Sequence, residues 1–204
     1  MKLLTVLILS IFFTSLYADD SKEPQLGFTL KIDNQTVKLE ENKAVQLSGI
    51  SKNPKVILVP DKHRYFTYAG LKFYYPSNMS FEADFSEPGL KMWTLDGNDF
   101  VLSIHHYTGL ILTAKALANQ LKAYYGKSTK TSPISYTFNK VKYSGLRVEA
   151  KIAGSGIIQD VIEVPTKKGS RIIILQDSVA SEKVSEDERK LILGLLEKSF
   201  KLQP

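Results

Sequence analysis

Two adjacent histidines, His105 and His106, are the first candidates for chemistry in this sequence. They lie near the end of the apolar run 100–107, "FVLSIHHY", and the chain has three histidines in all. Because histidine titrates near neutral pH, such a pair could act as a general acid or base, or ligate a metal. On a β-strand, however, neighbouring side chains point to opposite faces. The pattern therefore predicts that the two rings diverge and do not chelate one ion.

The residue patterns of the common nucleophilic enzymes are missing from the sequence. There is no cysteine, no Gly-x-Ser-x-Gly and no glycine-rich phosphate loop ahead of a helix. The "GSG" at 154–156 falls between two predicted strands and is typical of a turn. We therefore predict no catalytic residue, no metal ligand and no cofactor, and we favour a protein that is not an enzyme. The alternative is a hydrolase or a small-ligand-binding protein that uses the sheet end around His105 and His106.

A candidate binding surface combines the histidine pair with nearby aromatic residues. Trp93, the single tryptophan, precedes the turn Asp96–Asp99 and lies on the strand predicted to pair with the histidine strand. It is either a core residue beneath a helix or an aromatic platform at the sheet end. In the second interpretation the surface comprises Trp93, His105, His106 and Tyr107.

The elements that must position these residues follow a region with the pattern of a secretory signal peptide. Residues 1–18 contain the basic Lys2, an almost unbroken apolar stretch of about eleven residues and Ala18 before an acidic pair. The apolar stretch is shorter than the ~20 residues of a membrane-spanning helix. We expect cleavage after Ala18, although Leu16, the third residue before the cleaved bond, is not the small residue preferred at that position. The alternative is an uncleaved N-terminal anchor. Export to the periplasm or the medium is the predicted localisation, with no transmembrane span after signal removal.

The composition suits an exported, cysteine-free globular protein. The chain is 43% hydrophobic and has a formal charge of +6, which becomes +5 when Lys2 leaves with the signal peptide. An exported chain without cysteine has no disulfides, so its core must stabilise it. The lysines are spread along the chain rather than clustered on a stripe, which argues against nucleic-acid binding.

These patterns divide the sequence into four predicted regions. Residues 1–18 are the signal peptide, 19–27 a disordered N-terminus, 28–60 a small β appendage and 61–204 the main domain. Within the appendage, two alternating stretches flank a predicted turn at Asn34-Gln35.

The main domain is predicted to be α+β: a mostly antiparallel sheet flanked by helices in an α/β/α layered arrangement. Helices are expected near 113–125, capped by Thr113 and ended by Gly126, and near 185–200, beginning with a capping box at Ser185. A change of apolar phase predicts a bulge or bend at Ser144-Gly145. The apolar face of the second helix is expected to contain Leu191, Ile192, Leu195, Leu196 and Phe200.

Several segments resemble PsbP-like domains, the superfamily of the extrinsic protein of photosystem II, which also has bacterial periplasmic members. The resemblance lies in "GLKFYYPSNMSFEADF" (70–85), "YSGLRVEAKIAGSG" (143–156), "GSRIIILQDSV" (169–179) and the order of the elements. It implies the layered fold and a role in binding or assembling other proteins. The expected function is thus a non-catalytic exported binding or assembly module of the cell envelope, and the expected partner is another envelope or extracellular protein.

Overall fold

The computed structural model describes residues 19–39, 44–47, 49, 52–152, 155–179 and 186–203. The predicted signal peptide at 1–18 and the predicted cap Ser185 lie outside these residues. The described chain contains, in order, β1 (Phe28–Ile32), β2 (Gln35–Leu39), β3 (Val56–Pro60), β4 (His63–Phe66), β5 (Leu71–Pro76), β6 (Ser80–Asp84), β7 (Leu90–Asp96), β8 (Phe100–Tyr107), α1 (Ala114–Tyr125), β9 (Lys130–Phe138), β10 (Val141–Ile152), β11 (Ser155–Val164), β12 (Ser170–Val179), α2 (Glu186–Ser199) and β13 (Lys201–Leu202).

A seven-stranded sheet forms the centre of the molecule. Its strand order is β6-β7-β8-β12-β11-β10-β9, and every neighbouring pair is antiparallel. The predicted turn at Asp96–Asp99 joins β7 to β8, where the Gly97 N–H donates to the Phe100 carbonyl. The prediction of an α+β chain built on a mostly antiparallel sheet is confirmed.

Apolar side chains on both faces of this sheet form two separate cores. Along β12, Ile172 and Ile174 belong to one core and Ile173 and Leu175 to the other, as strand alternation requires. The first core contains α1. The second contains α2 together with a three-stranded sheet of order β13-β5-β4. A central strand buried on both faces explains the unbroken apolar run of β12.

Both helices begin and end close to the predicted positions. The Thr113 hydroxyl caps α1 by accepting from the Ala116 N–H (3.1 Å), and Gly126 follows the helix with a φ of +94°. On α2, the buried positions are Ile192 and Leu196. Leu191, predicted to share this apolar face, is 50% exposed, because the row that enters the core is Ile192, Leu196 and Phe200, and Leu191 lies outside that row. Neither described helix has the length and apolar character of a membrane span.

Of the predicted bulge or bend at Ser144-Gly145, a bulge is not present in the pairing of β10 with β9, although β10 parts from β11 at Gly145. The pairing of β10 with β9 runs without interruption from Val141 to Glu149. The apolar phase changes because Tyr143 packs in one core and Val148 in the other. Gly145 has a different role: a Cβ there would lie 2.1 Å from the Val161 carbonyl oxygen, so the close approach of β11 requires glycine.

The appendage at 28–60 is a three-stranded antiparallel sheet of order β2-β1-β3. Its hairpin turn is one residue earlier than predicted. Ile32 pairs with Gln35, so Asp33 and Asn34 form the turn, and Asp33 has a φ of +49°. Asp tolerates this left-handed conformation better than most residues, which favours the observed position.

The segment 19–27, predicted to be disordered, is instead held against the main domain. The Lys91 ammonium donates to the Asp20 carboxylate (2.9 Å), and the Tyr68 hydroxyl donates to the Lys22 carbonyl. Arg64 donates to the Pro24 carbonyl (2.7 Å). These partners are 40 to 71 residues away in the sequence, so local composition could not predict them.

Candidate functional site

Trp93 cannot serve as the exposed aromatic platform considered from the sequence. Its side chain has no exposed surface. Its indole N–H donates to the backbone carbonyl of Asp20 (2.8 Å), and its ring stacks on Tyr68 with centroids 6.0 Å apart. Trp93 is therefore a core residue, as in the other interpretation weighed for it, but the N-terminal segment contacts it where a helix was expected.

The remaining residues of the predicted surface lie on two faces of the sheet. His105 and Tyr107 share one face, with 3.4 Å between the imidazole Nδ1 and the phenol oxygen. His106 lies on the opposite face, in phase with Ile104 in the core that contains Trp93. The structure thus does not bring Trp93, His105, His106 and Tyr107 together on one surface.

The two histidines also have different electrostatic surroundings. Burial lowers the pKa of His105 to about 4, so its ring is neutral at neutral pH. The pKa of His106 is lowered first by burial and then by the positive charge of Arg171. Among the described residues, no group of three or more His, Asp or Glu side chains is arranged to hold a metal ion.

Arg171, which faces His106 across the β12–β8 pair, is the most unusual charged residue of the described chain. It is 6% exposed. Its Nη atoms donate to the Pro165 carbonyl (3.2 Å) and the Thr166 hydroxyl (3.4 Å), and its buried Nε has no partner. Burial lowers its pKa below the usual range for arginine.

The other three arginines of the chain each contact a carboxylate. Arg147 and Arg189 both donate to the fully buried Asp160 at 2.8 Å, and Arg64 pairs with Glu23 at 2.9 Å. Within the described residues, no carboxylate pairs with Arg171 to neutralise its buried charge. Arginine cannot relieve this by deprotonation at neutral pH.

A cavity opens beside Arg171 because two strands part. Pairing of β10 with β11 ends at Gly145 and Ile162, although β10 continues along β9 and β11 continues along β12. The gap beyond that pair encloses about 520 Å³, within the usual range for small-ligand sites. It is lined by Ile111, Val141, Lys142, Tyr143, Ser144, Glu163, Val164, Pro165, Thr166, Gly169, Ser170 and Arg171.

A second cavity of about 540 Å³ is also lined by Arg171. Its lining includes Gly70, Lys167, Arg171 and Leu202. A Cβ at Gly70 would lie 2.9 Å from Nη2 of Arg171, and Gly70 has a φ of +66°. Glycine at this turn therefore provides both the left-handed backbone and the space for the arginine. The two cavities share Arg171, and we refer to them together as the Arg171 site.

The charges that line the Arg171 site are mainly positive. Lys142 lines the first cavity, Lys167 the second and Arg171 both. The acidic residue of the lining, Glu163, accepts a hydrogen bond from the Ala114 N–H at the start of α1 (3.2 Å), where the helix dipole favours a negative charge. A planar guanidinium that no described carboxylate contacts is suited to carboxylate, phosphate or sulfate groups. The arrangement can thus hold an anion.

Comparisons with known proteins were made by sequence and by structure. No protein-family model and no curated protein matches the chain. One similar solved structure is the crystal structure of LpqN, involved in cell envelope biogenesis of Mycobacterium tuberculosis. It has 15% identity and a TM-score of 0.35, over 66% of this chain and 83% of that one. These comparisons establish no family. The resemblance to PsbP-like domains stays a prediction.

Sequence reasoning found His106 but missed Arg171, although the sequence contains a signal for it. In "SRIIILQ", Arg171 alternates in phase with Ile173 and Leu175, which both lie in a core. An arginine at such a position is predicted to be buried, and buried charges are normally paired. The absence of a partner becomes visible only when the surrounding strands are in place.

Proposed function

We propose that this chain is an exported, non-catalytic binding module of the cell envelope, and that it receives the anionic group of a small ligand at the Arg171 site. The observation that carries this proposal is the buried guanidinium of Arg171, which has no carboxylate partner among the described residues. A buried charge without a counter-ion costs several kcal/mol. A bound anion would offset that cost, so binding and stability are coupled.

Binding is favoured over catalysis because the candidate catalytic groups are separated. Acid–base and nucleophilic catalysis need side chains within mutual hydrogen-bonding reach. His105 and His106 lie on opposite faces, and the polar side-chain contact of His105 in the described chain is a long one to Tyr107. The hydrolase alternative at this sheet end therefore has the weaker geometric support.

The proposal of export rests on the pattern of residues 1–18. Expression of the full chain in a secreting bacterial host, followed by mass spectrometry of the periplasmic protein, tests it. We expect a chain that begins at Asp19. Retention of Met1 in the membrane fraction would contradict export.

Native mass spectrometry of the same periplasmic protein tests the binding function. We expect a co-purified small anion with the wild type and none with Arg171→Met. Lys198→Met, which removes a charge from the exposed end of α2, should retain the ligand. Recovery of the same ligand with Arg171→Met, or of a stoichiometric protein partner in its place, would refute the proposed site.

A further inference from the structure

Two large aliphatic side chains lie at the mouth of the cavity between β10 and β11, whose exposed lining also includes the polar Lys142, Ser144 and Glu163. Ile111, in the loop before α1, is 81% exposed, and Val141, at the start of β10, is 52% exposed. Both line this cavity, and Leu110 beside Ile111 is also largely exposed. Large aliphatic side chains exposed around a concave site are typical of ligand-binding grooves.

The loop that carries Ile111 is held in place by hydrogen bonds on both sides of that residue. The Leu112 N–H donates to the Ser170 hydroxyl (2.9 Å), and the same hydroxyl donates to the Leu110 carbonyl (3.2 Å). Ser170 is the neighbour of Arg171 on β12 and is itself buried. The exposed isoleucine is therefore fixed relative to the buried guanidinium, so the mouth that it lines is part of the site.

The inner and outer parts of this cavity contain different side chains. Its inner wall contains the buried Tyr143 and Val164 beside the charge of Arg171, and its outer part contains the aliphatic Ile111 and Val141 together with Lys142, Ser144 and Glu163. An anion without an apolar part would use the charge and leave the aliphatic side chains of the mouth in water. We infer that the ligand is a single-chain anionic amphiphile, with an acidic head at Arg171 and a hydrocarbon tail that passes Ile111 and Val141.

The depth of Arg171 argues for a separate molecule rather than a membrane surface. With 6% of its surface exposed, the guanidinium cannot reach the head groups of a flat bilayer, whereas the head of a single molecule can enter the 520 Å³ cavity. This inference rests on the proposed anion-binding function and adds the requirement for a tail.

Isothermal titration calorimetry of the processed chain with sodium butanoate, octanoate and dodecanoate, each below its micelle concentration, tests the inference. Complete burial of one methylene strengthens binding about fourfold. For a tail that is only partly covered, the affinity should rise about tenfold for each four added carbons. Ile111→Asn should weaken dodecanoate binding about tenfold and leave butanoate binding unchanged. The matched variant Leu191→Asn, at an exposed leucine of α2, should leave both unchanged.

Two further arms separate the head from the tail. Arg171→Met should abolish binding of all three carboxylates, and dodecyltrimethylammonium, which has the same tail and a positive head, should not bind the wild type. The melting temperature of Arg171→Met serves as the folding control. If Arg171→Met is destabilised, Arg171→Lys replaces it, and this second variant should bind the carboxylates measurably.

Each possible negative result contradicts a different part of the inference. Equal, Arg171-dependent affinity for butanoate and dodecanoate would overturn the requirement for a tail and support the anion site. Absence of carboxylate binding, or binding that Arg171→Met leaves unchanged, would overturn both. Adsorption to phosphatidylglycerol vesicles without binding of monomeric dodecanoate would overturn the inference in favour of a membrane surface.

Discussion

At the scale of single residues, the charge of Arg171 determines the behaviour of its neighbour His106. The two residues are directly paired between β12 and β8. Besides burial, Arg171 and Lys91 lower the pKa of His106, while a hydrogen bond with the Lys168 backbone and the Asp20 carboxylate raise it. His105, one residue earlier but on the other face, has its pKa lowered by burial alone.

This difference gives a prediction for Arg171→Met. Removal of the positive charge should raise the pKa of His106 towards its ordinary value, because protonation no longer places two cations side by side. The pKa of His105 should not change. Histidine side-chain NMR titration of wild type and variant measures both values. An unchanged His106 pKa, or equal changes at both rings, would show that Arg171 does not act on His106 through its charge.

At the scale of elements, α2 is fixed on the sheet by an apolar row and by an ionic network. Ile192 and Leu196 enter the core, and Arg189 binds the buried carboxylates of Asp160 and Asp177. The helix could be predicted from its apolar spacing, but the exposed side of Leu191 and the network could not. Both depend on the angle at which α2 crosses the sheet, and the apolar periodicity of the sequence does not determine that angle.

Leu196→Ala is expected to lower the free energy of unfolding by about 2–5 kcal/mol, since it leaves a cavity at a fully buried position. Leu191→Ala, at the half-exposed position five residues earlier, should change it by no more than about 0.5 kcal/mol. Urea denaturation of both variants measures the difference. Similar losses for the two leucines would contradict the orientation described for α2.

At the scale of the whole molecule, the sheet separates two cores, and the Arg171 site lies where the sheet opens. Strand alternation and turn residues were sufficient to predict the antiparallel sheet and the divergence of the two histidines, and apolar spacing with capping residues was sufficient to predict both helices. They were insufficient for the segment 19–27 and for Gly145, because the decisive contacts, such as that of Trp93 with Asp20, join distant parts of the chain. The site depends on such contacts throughout: Gly70, Ile111, Ser144 and Arg171 come from four separate segments.

Binding of an anion by Arg171 can be followed at the side-chain Nε–Hε signals of the four arginines. In a two-dimensional ¹H–¹⁵N NMR titration with sodium butanoate, the Arg171 signal should shift saturably, whereas the signals of Arg147 and Arg189, already paired with Asp160, should not. Because added salt shifts exposed groups in a non-saturating way, sodium chloride at equal ionic strength is the control. A static Arg171 signal, or equal shifts at all four arginines, would contradict the account.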